Sequence, residues 1–234
     1  MPNPFAQAIL FFRGDAHGDE APIRVLQGPK TMMNAPDNVA VDAVHHEIYV
    51  AQFPTDSILV FRSDVGGDVA PIRILHGAKT KLDRPIRVEV DPLNNLVAVT
   101  TNSAIVIFNR TDNGDAAPRW VLSGPKTGLG TRSGTRDVKF FPEGKKILAV
   151  GRLGDARSPA GSGGEEIGGG ERFLGVWKYG DNGDVAPWAV LRATSTTGLE
   201  GSHVALNPAA GEVVTGGIGA VRVYHIPEIF QRTD

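Results

Sequence analysis

Two landmarks that repeat in step predict an all-β chain, a β-propeller of four-stranded antiparallel blades. The first is a glycine–aspartate motif seen four times: GDEAPIRVL from Gly18, GDVAPIRIL from Gly67, GDAAPRWVL from Gly114 and GDVAPWAVL from Gly183. The second is a short apolar run ending in an aromatic, seen five times as AILFF, SILVF, AIVIF, FLGVW and AVRVY. Its aromatics are Phe12, Phe61, Phe108, Trp177 and Tyr224. Successive motifs stand 49, 47 and 69 residues apart, and successive aromatics 49, 47, 69 and 47. Two landmarks sharing one spacing mark a structural repeat, and units of this size are those of a propeller blade.

Each unit reads as strands a, b, c and d. Strand a is NVAVD from Asn38, RVEVD from Arg87, DVKFF from Asp137 and HVALN from His203. Strand b starts six residues after the end of strand a, at Ile48, Val97, Ile147 and Val213. Strand c is the run ending in an aromatic, and strand d is the glycine–aspartate motif. The first three motifs continue into a Gly-x-Lys-Thr tail at Gly28, Gly77 and Gly124. β-Branched residues bounded by Gly, Pro, Asn and Asp suit strands, and nothing reads as a long amphipathic helix. One twisted sheet cannot bury both of its faces alone, so the units are expected to stack face to face. The blade parts fall at about 1–28, 36–77, 85–124, 135–193 and 202–227 of a single domain spanning 1–234, which represents four to five blades.

Composition narrows the function. The chain carries 24 Lys plus Arg against 26 Asp plus Glu, a net charge of -2, which argues against the basic footprint of a nucleic-acid binder. With no cysteine it has neither disulfides nor thiolate metal sites. The 29 glycines and 16 prolines suit a chain with many turns. No apolar run approaches the roughly 18 residues of a membrane helix, so a soluble protein with no membrane partner is expected. The start, MPNPFAQAILFF, lacks a basic n-region and a small-residue cleavage site. Localisation is otherwise open, since a longer natural form could be exported.

The repeat starts out of phase. Aligning AILFF on SILVF sets Pro2 opposite Ala51, so Met1 begins where a strand b is already under way. The C-terminus supplies a, b and c of a last unit, ending near His225. Two closures follow. The terminal strands could complete one four-bladed ring, or the chain is a truncated or dimer-completed member of a larger propeller. The second is preferred, with unpaired blade edges as the expected homodimer contact.

The unit GD-x-AP-x-R-x-L-x-G…(N/P)-x-V-A-V-D…E-I-Y-V-A…S-I-x-V-F resembles the NHL-type repeat, and the broader six-bladed propeller class, over nearly the whole chain. The resemblance implies architecture and leaves function open, because the class holds lactonases, a peptide-amidating lyase and pure protein- or RNA-binding modules. Some members carry a metal at the mouth of the central channel, held by His or by Asn, Asp and Glu.

Equivalent repeat positions entering strand a hold Asn38, Arg87, Asp137 and His203, expected to ring one channel mouth. Asp137, His203 and Asn38 are the candidate ligands of one divalent metal ion: zinc, copper, manganese or calcium. Arg87 opposes a cation there and suits a ligand carboxylate or phosphate instead. The wide spacing in the fourth unit comes from GRLGDARSPAGSGGEEIGGGE at about 151–171, on the same rim. A loop that long is functional or disordered. As a lid it would offer Arg152, Asp155, Arg157, Glu165 or Glu166, and the catalytic candidates are Arg87, Asp155, Arg157, Glu165 and Glu166. The competing reading makes the ring merely solvated and the loop a surface excursion.

Other features read as structural. Asp19, Asp68, Asp115 and Asp184 are expected to close tight turns through their own backbone. The aromatics pack between blades. His17, His45, His46, His76 and His225 are surface or packing residues. There is no nucleophile elbow, zinc-protease helix, dinucleotide fingerprint or phosphate loop. Two function classes result. The favoured one is a binding scaffold that uses the channel-mouth rim for a small molecule, peptide or protein. The other is a metal-dependent enzyme, a lactonase-like hydrolase, a lyase or an oxidase, in which the metal lowers the pKa of bound water or polarises an oxygen.

Overall fold

Each apolar run of the repeat forms a strand in the computed structural model, which describes residues 1–129, 137–153, 171–192, 201–217 and 220–231. The first sheet has three strands, β1 (Pro2–Asn3), β2 (Ala8–Phe11) and β3 (Arg24–Gln27). The second has four: β4 (Pro36–Asp42), β5 (Glu47–Gln52), β6 (Ser57–Arg62) and β7 (Arg73–His76). The third holds β8 (Arg87–Asp91), β9 (Leu96–Thr100), β10 (Ala104–Asn109) and β11 (Trp120–Ser123). The fourth holds β12 (Val138–Phe141), β13 (Lys146–Leu153), β14 (Glu171–Lys178) and β15 (Ala189–Arg192). The last is β16 (Gly201–Asn207), β17 (Glu212–Gly217) and β18 (Ala220–His225). Strands neighbour each other in chain order within every sheet, an antiparallel meander. Only single 3-10 turns punctuate the strands among the described residues.

The phase read from the sequence holds. Pro2 pairs with Ile9 as Ala51 pairs with Ile58, so β1 is the end of a strand b. In the fourth sheet the strands run further than expected. β13 continues through Leu153 and β14 starts at Glu171, paired to the end, so the hairpin takes in part of the stretch read as loop.

The chain divides into two compact units, residues 1–99 with 107–119, and residues 100–106 with 120–234. The core of the first includes Ile9, Leu26, Ile48, Val50, Leu59 and Phe61 from facing strands of the first two sheets. The core of the second includes Phe141, Leu148, Val150, Leu174, Val176, Val204 and Val213. Strand c is buried on both sides in β6 and β10, which is why Ile58–Phe61 and Ala104–Phe108 run apolar rather than alternating. Phe61, Phe108 and Trp177 are fully buried as expected. Phe12 departs from that expectation at 39 % exposed.

The glycine–aspartate motif and the Gly-x-Lys-Thr tail are two halves of one tie. Asp68 accepts from the backbone N–H of Lys30 at 2.7 Å, Asp115 from Lys79 at 2.7 Å and Asp184 from Lys126 at 2.7 Å. Each carboxylate thus caps the 3-10 turn that follows the preceding sheet's outer strand. This corrects the sequence expectation, in which each aspartate closes its own turn. Leu26, Leu75 and Leu122 form parallel bridges to Gly67, Gly114 and Gly183 beside these caps. Thr31, Thr80 and Thr127 close the turns by donating to Gly28, Gly77 and Gly124 at 2.6 Å. The turn glycine has two reasons to be glycine: its φ is +133°, +130° or +113°, and a Cβ there would strike the capping aspartate.

Candidate functional site

The four positions entering strand a are distributed two to each unit. Asn38 lies in β4 at a register shift between Pro36 and Asn38, and His203 in β16 at the equivalent shift between Gly201 and His203. Such bulges re-aim side chains. In the first unit, Asn38 Oδ1 accepts from Val88 N–H at 2.9 Å. Arg87 donates to Asp37 at 2.9 Å and to the Ile86 carbonyl at 3.1 Å. In the second unit, buried Asp137 accepts from Val138 N–H and from Val204 N–H, each at 2.9 Å. His203 stands beside it, Nδ1 at 3.8 Å from Oδ2, with its side chain 55 % exposed.

Asn38 and Asp137 therefore do the same work. Each side chain satisfies a backbone N–H at the start of the next sheet's strand a, a donor that is costly to leave unmade where it is buried. That use draws on the lone pairs a metal would need. Among the described residues no group of three or more His, Asp or Glu side chains is placed to hold a metal ion. Asp155, Arg157, Glu165 and Glu166 lie outside the described residues.

Two features of the first unit were not visible in the sequence. One is an ionic cluster. Glu47 at the start of β5 accepts from Arg73 at 2.7 Å, Arg110 at 2.8 Å and the Tyr49 hydroxyl at 2.7 Å. Burial alone pushes the Glu47 carboxyl up, but the hydrogen bonds from Arg73, Tyr49 and Arg110 and the charge of Arg73 outweigh it and hold the pKa at about 2. Burial, with the Glu47 carboxylate alongside, pushes the Tyr49 hydroxyl well above its usual range. Asp42 accepts from the Val44 and His45 N–H groups and pairs with His45 Nδ1 at 2.7 Å, so His45 is a packing residue of the hairpin, as expected. Every charge here has a protein partner, which marks the cluster as a brace between strands.

The other feature is a cavity of about 170 Å³ lined by Met32, Gln52, Thr55, Ser57, Leu59, Ile74 and His76. It lies where the turn after β3 meets the turn between β5 and β6, on the same edge of the sheets as Asn38 and Arg87. Phe53 in that turn is 38 % exposed, and the Arg84 guanidinium stacks on it at 4.1 Å. One signal was legible. The turn from Gln52 to Ser57 is two residues longer than its counterpart from Thr101 to Ala104.

No helix among the described residues is long and apolar enough to cross a membrane. No family model matches the sequence, and no curated protein matches it. Solved structures do. Kuenenia stuttgartiensis hydrazine synthase superposes with a TM-score of 0.54 at 14% identity, over 82% of this chain and 45% of that one. The WD40 β-propeller domain of Doa1 superposes with a TM-score of 0.54 at 11% identity, over 92% of this chain and 58% of that one. This chain thus spans about half the length of the structures it matches, and at these identities the likeness speaks for fold alone. With its meandering four-stranded antiparallel sheets and no α-helix among the described residues, the chain has the β-propeller fold class.

Proposed function

We propose that this protein is a non-catalytic binding scaffold of the NHL-like propeller type, which presents the edge of the first unit bearing Asn38 and Arg87 to a peptide or protein. One observation carries the reading. The repeated side chains are consumed in holding sheets together, whereas the side chains on this edge differ from unit to unit. Asp68, Asp115 and Asp184 cap turns, and Asn38 and Asp137 tie neighbouring strands. Arg87, Phe53 and His76 follow no repeat pattern. A rigid frame with a variable edge is the usual division of labour in a binding module. β18 lies outermost in its sheet among the described residues, which supports a second copy as one further partner.

The metal-enzyme reading keeps one support, the approach of His203 to Asp137. Elemental mass spectrometry on protein purified without chelators or a His tag separates the two readings. The scaffold reading expects no stoichiometric metal. It also expects peptides selected from a random display library to give amide shift changes at Asp37, Thr55, His76 and Arg87, and none at His45 or His46. Near-stoichiometric metal lost in His203→Ala, or a footprint confined to the β4–β5 hairpin, overturns it.

A further inference from the structure

The cavity beside Gln52 has a floor whose hydrogen bonding can be counted. Gln52 is 1 % exposed, and its Oε1 accepts from Asn34 N–H. Its Nε2 faces the Met32 carbonyl at 3.3 Å, Thr55 Oγ1 at 3.3 Å and Ser57 Oγ at 3.1 Å. The amide can only donate to the two hydroxyl oxygens. Thr55 and Ser57 stand 2.8 Å apart, so one hydroxyl proton serves the other oxygen. The second proton has no acceptor among the described residues. A hydroxyl both donates and accepts, and this one is oriented by the amide behind it to donate.

The walls are aliphatic, from Leu59, Ile74 and the Met32 side chain, with the His76 ring at the mouth and no Lys or Arg in the lining. The depression is open to solvent on one side, and its volume of about 170 Å³, close to the roughly 150 Å³ of an engineered apolar cavity that takes benzene, bounds the part of an occupant it can bury. The buried part of the occupant therefore has about six heavy atoms, a branched aliphatic body and one acceptor oxygen, with no need for charge.

We propose that this cavity is a ligand subsite for a neutral carbonyl compound with a short branched aliphatic group, the chemistry of a Val-, Leu- or Ile-bearing peptide residue. The repeat supplies the contrast. Ser57 corresponds to Ala104, Gln52 to Thr101 and His76 to Ser123, so in place of an amide and two hydroxyls the third sheet has the single Thr101 hydroxyl, which is used in donating to the Ala104 carbonyl at 3.2 Å. The two additional residues of the β5–β6 turn bring Thr55 into place. The choice of a peptide residue rests on the edge-binding reading above, whereas the cavity chemistry does not.

The test uses isobutyramide as probe, with isobutylamine, which has no carbonyl acceptor, as control. Methyl spectra of the full chain are followed during titration. Saturable shifts are expected at Met32, Leu59 and Ile74, with a dissociation constant on the order of millimolar, as ligand efficiency dictates for a fragment. The double variant Thr55→Val, Ser57→Ala should weaken the probe at least tenfold. The Ser57→Ala change installs the alanine its sister sheet already has, and a thermal melt confirms that the variant folds. Absence of saturable shifts, equal binding of the amine, or unchanged binding in the folded variant overturns the proposal. If isobutyramide binds while no selected peptide touches Arg87 or Thr55, the edge-binding reading fails and the subsite stands.

Discussion

The carboxylate of Asp68 accepts a hydrogen bond from the backbone N–H of Lys30, 38 positions earlier in the chain, at 2.7 Å. The same bond joins Asp115 to Lys79 and Asp184 to Lys126, so the contact is a rule of the repeat. An ionised acceptor at the start of a short turn also meets N–H groups that the turn itself leaves unpaired.

Asp115→Ala is accordingly expected to lower the unfolding free energy by about 1–2 kcal/mol. Asp19→Ala should leave it unchanged, because Asp19 has no such partner among the described residues. Urea denaturation of the two variants side by side checks the difference. Equal losses would show that the motif acts only within its own turn.

The glycine opposite the cap is expected to be more sensitive still. Gly124 has φ +113°, and an added Cβ would stand 2.6 Å from the Asp184 carboxylate. Gly124→Ala should therefore cost about 2–3 kcal/mol from strain and lost capping together. Gly67 has φ +73°, and a Cβ added there would meet nothing within 4 Å, so Gly67→Asn should be milder. Thermal melts of both variants decide the order.

Acid should weaken the protein through Glu47. Its folded pKa of about 2 lies below its ordinary value of 4.5, so its contribution is complete above about 4.5 and is lost as pH falls toward about 2. Glu47→Gln should cost about 2–4 kcal/mol at pH 7, because Arg73 and Arg110 lose a shared, nearly buried counter-charge. The variant's stability should then vary less between pH 5 and pH 3 than the parent's. A parallel fall in both would assign the acid sensitivity to other carboxylates.

Lys146 occupies the repeat position of Glu47 and makes an equally specific contact. Its ammonium, in a residue 1 % exposed, donates to the carbonyls of Ile229 at 3.0 Å and Gln231 at 2.6 Å. Burial, and then the nearby charge of Lys178, pushes its pKa down. Lys146→Met keeps the aliphatic stem and removes the donor. It should cost about 2 kcal/mol and raise amide exchange at Ile229 and Gln231 before other sites. Unchanged exchange there would mean that packing by Ile229 alone holds the turn.

The strands were legible because repetition multiplies a weak signal. A lone NVAVD or AIVIF is ambiguous, but four or five copies at matched offsets are not. The phase of Pro2 against Ala51 was legible for the same reason. The capping aspartates are legible only as turn residues, since sequence shows a turn residue and not which neighbouring turn lies across from it. Asn38 and Asp137 were picked out by position, yet their bonds to Val88 and Val204 depend on how one strand a meets the next. The Gln52 floor is not legible in the repeat because it arises from departures: two residues more than the third sheet's turn, and Ser57 where other copies have alanine.

The tie between Lys126 and Asp184 spans 58 positions where the tie between Lys79 and Asp115 spans 36, and both close at 2.7 Å. The extra length has been absorbed without loosening the fastening. Neighbouring sheets within each unit are thus fastened at their outer strands, and the connections between one fastening and the next can gain length without disturbing it. Selection, or a designer, can lengthen and rewrite those connections one at a time while the frame keeps its gauge.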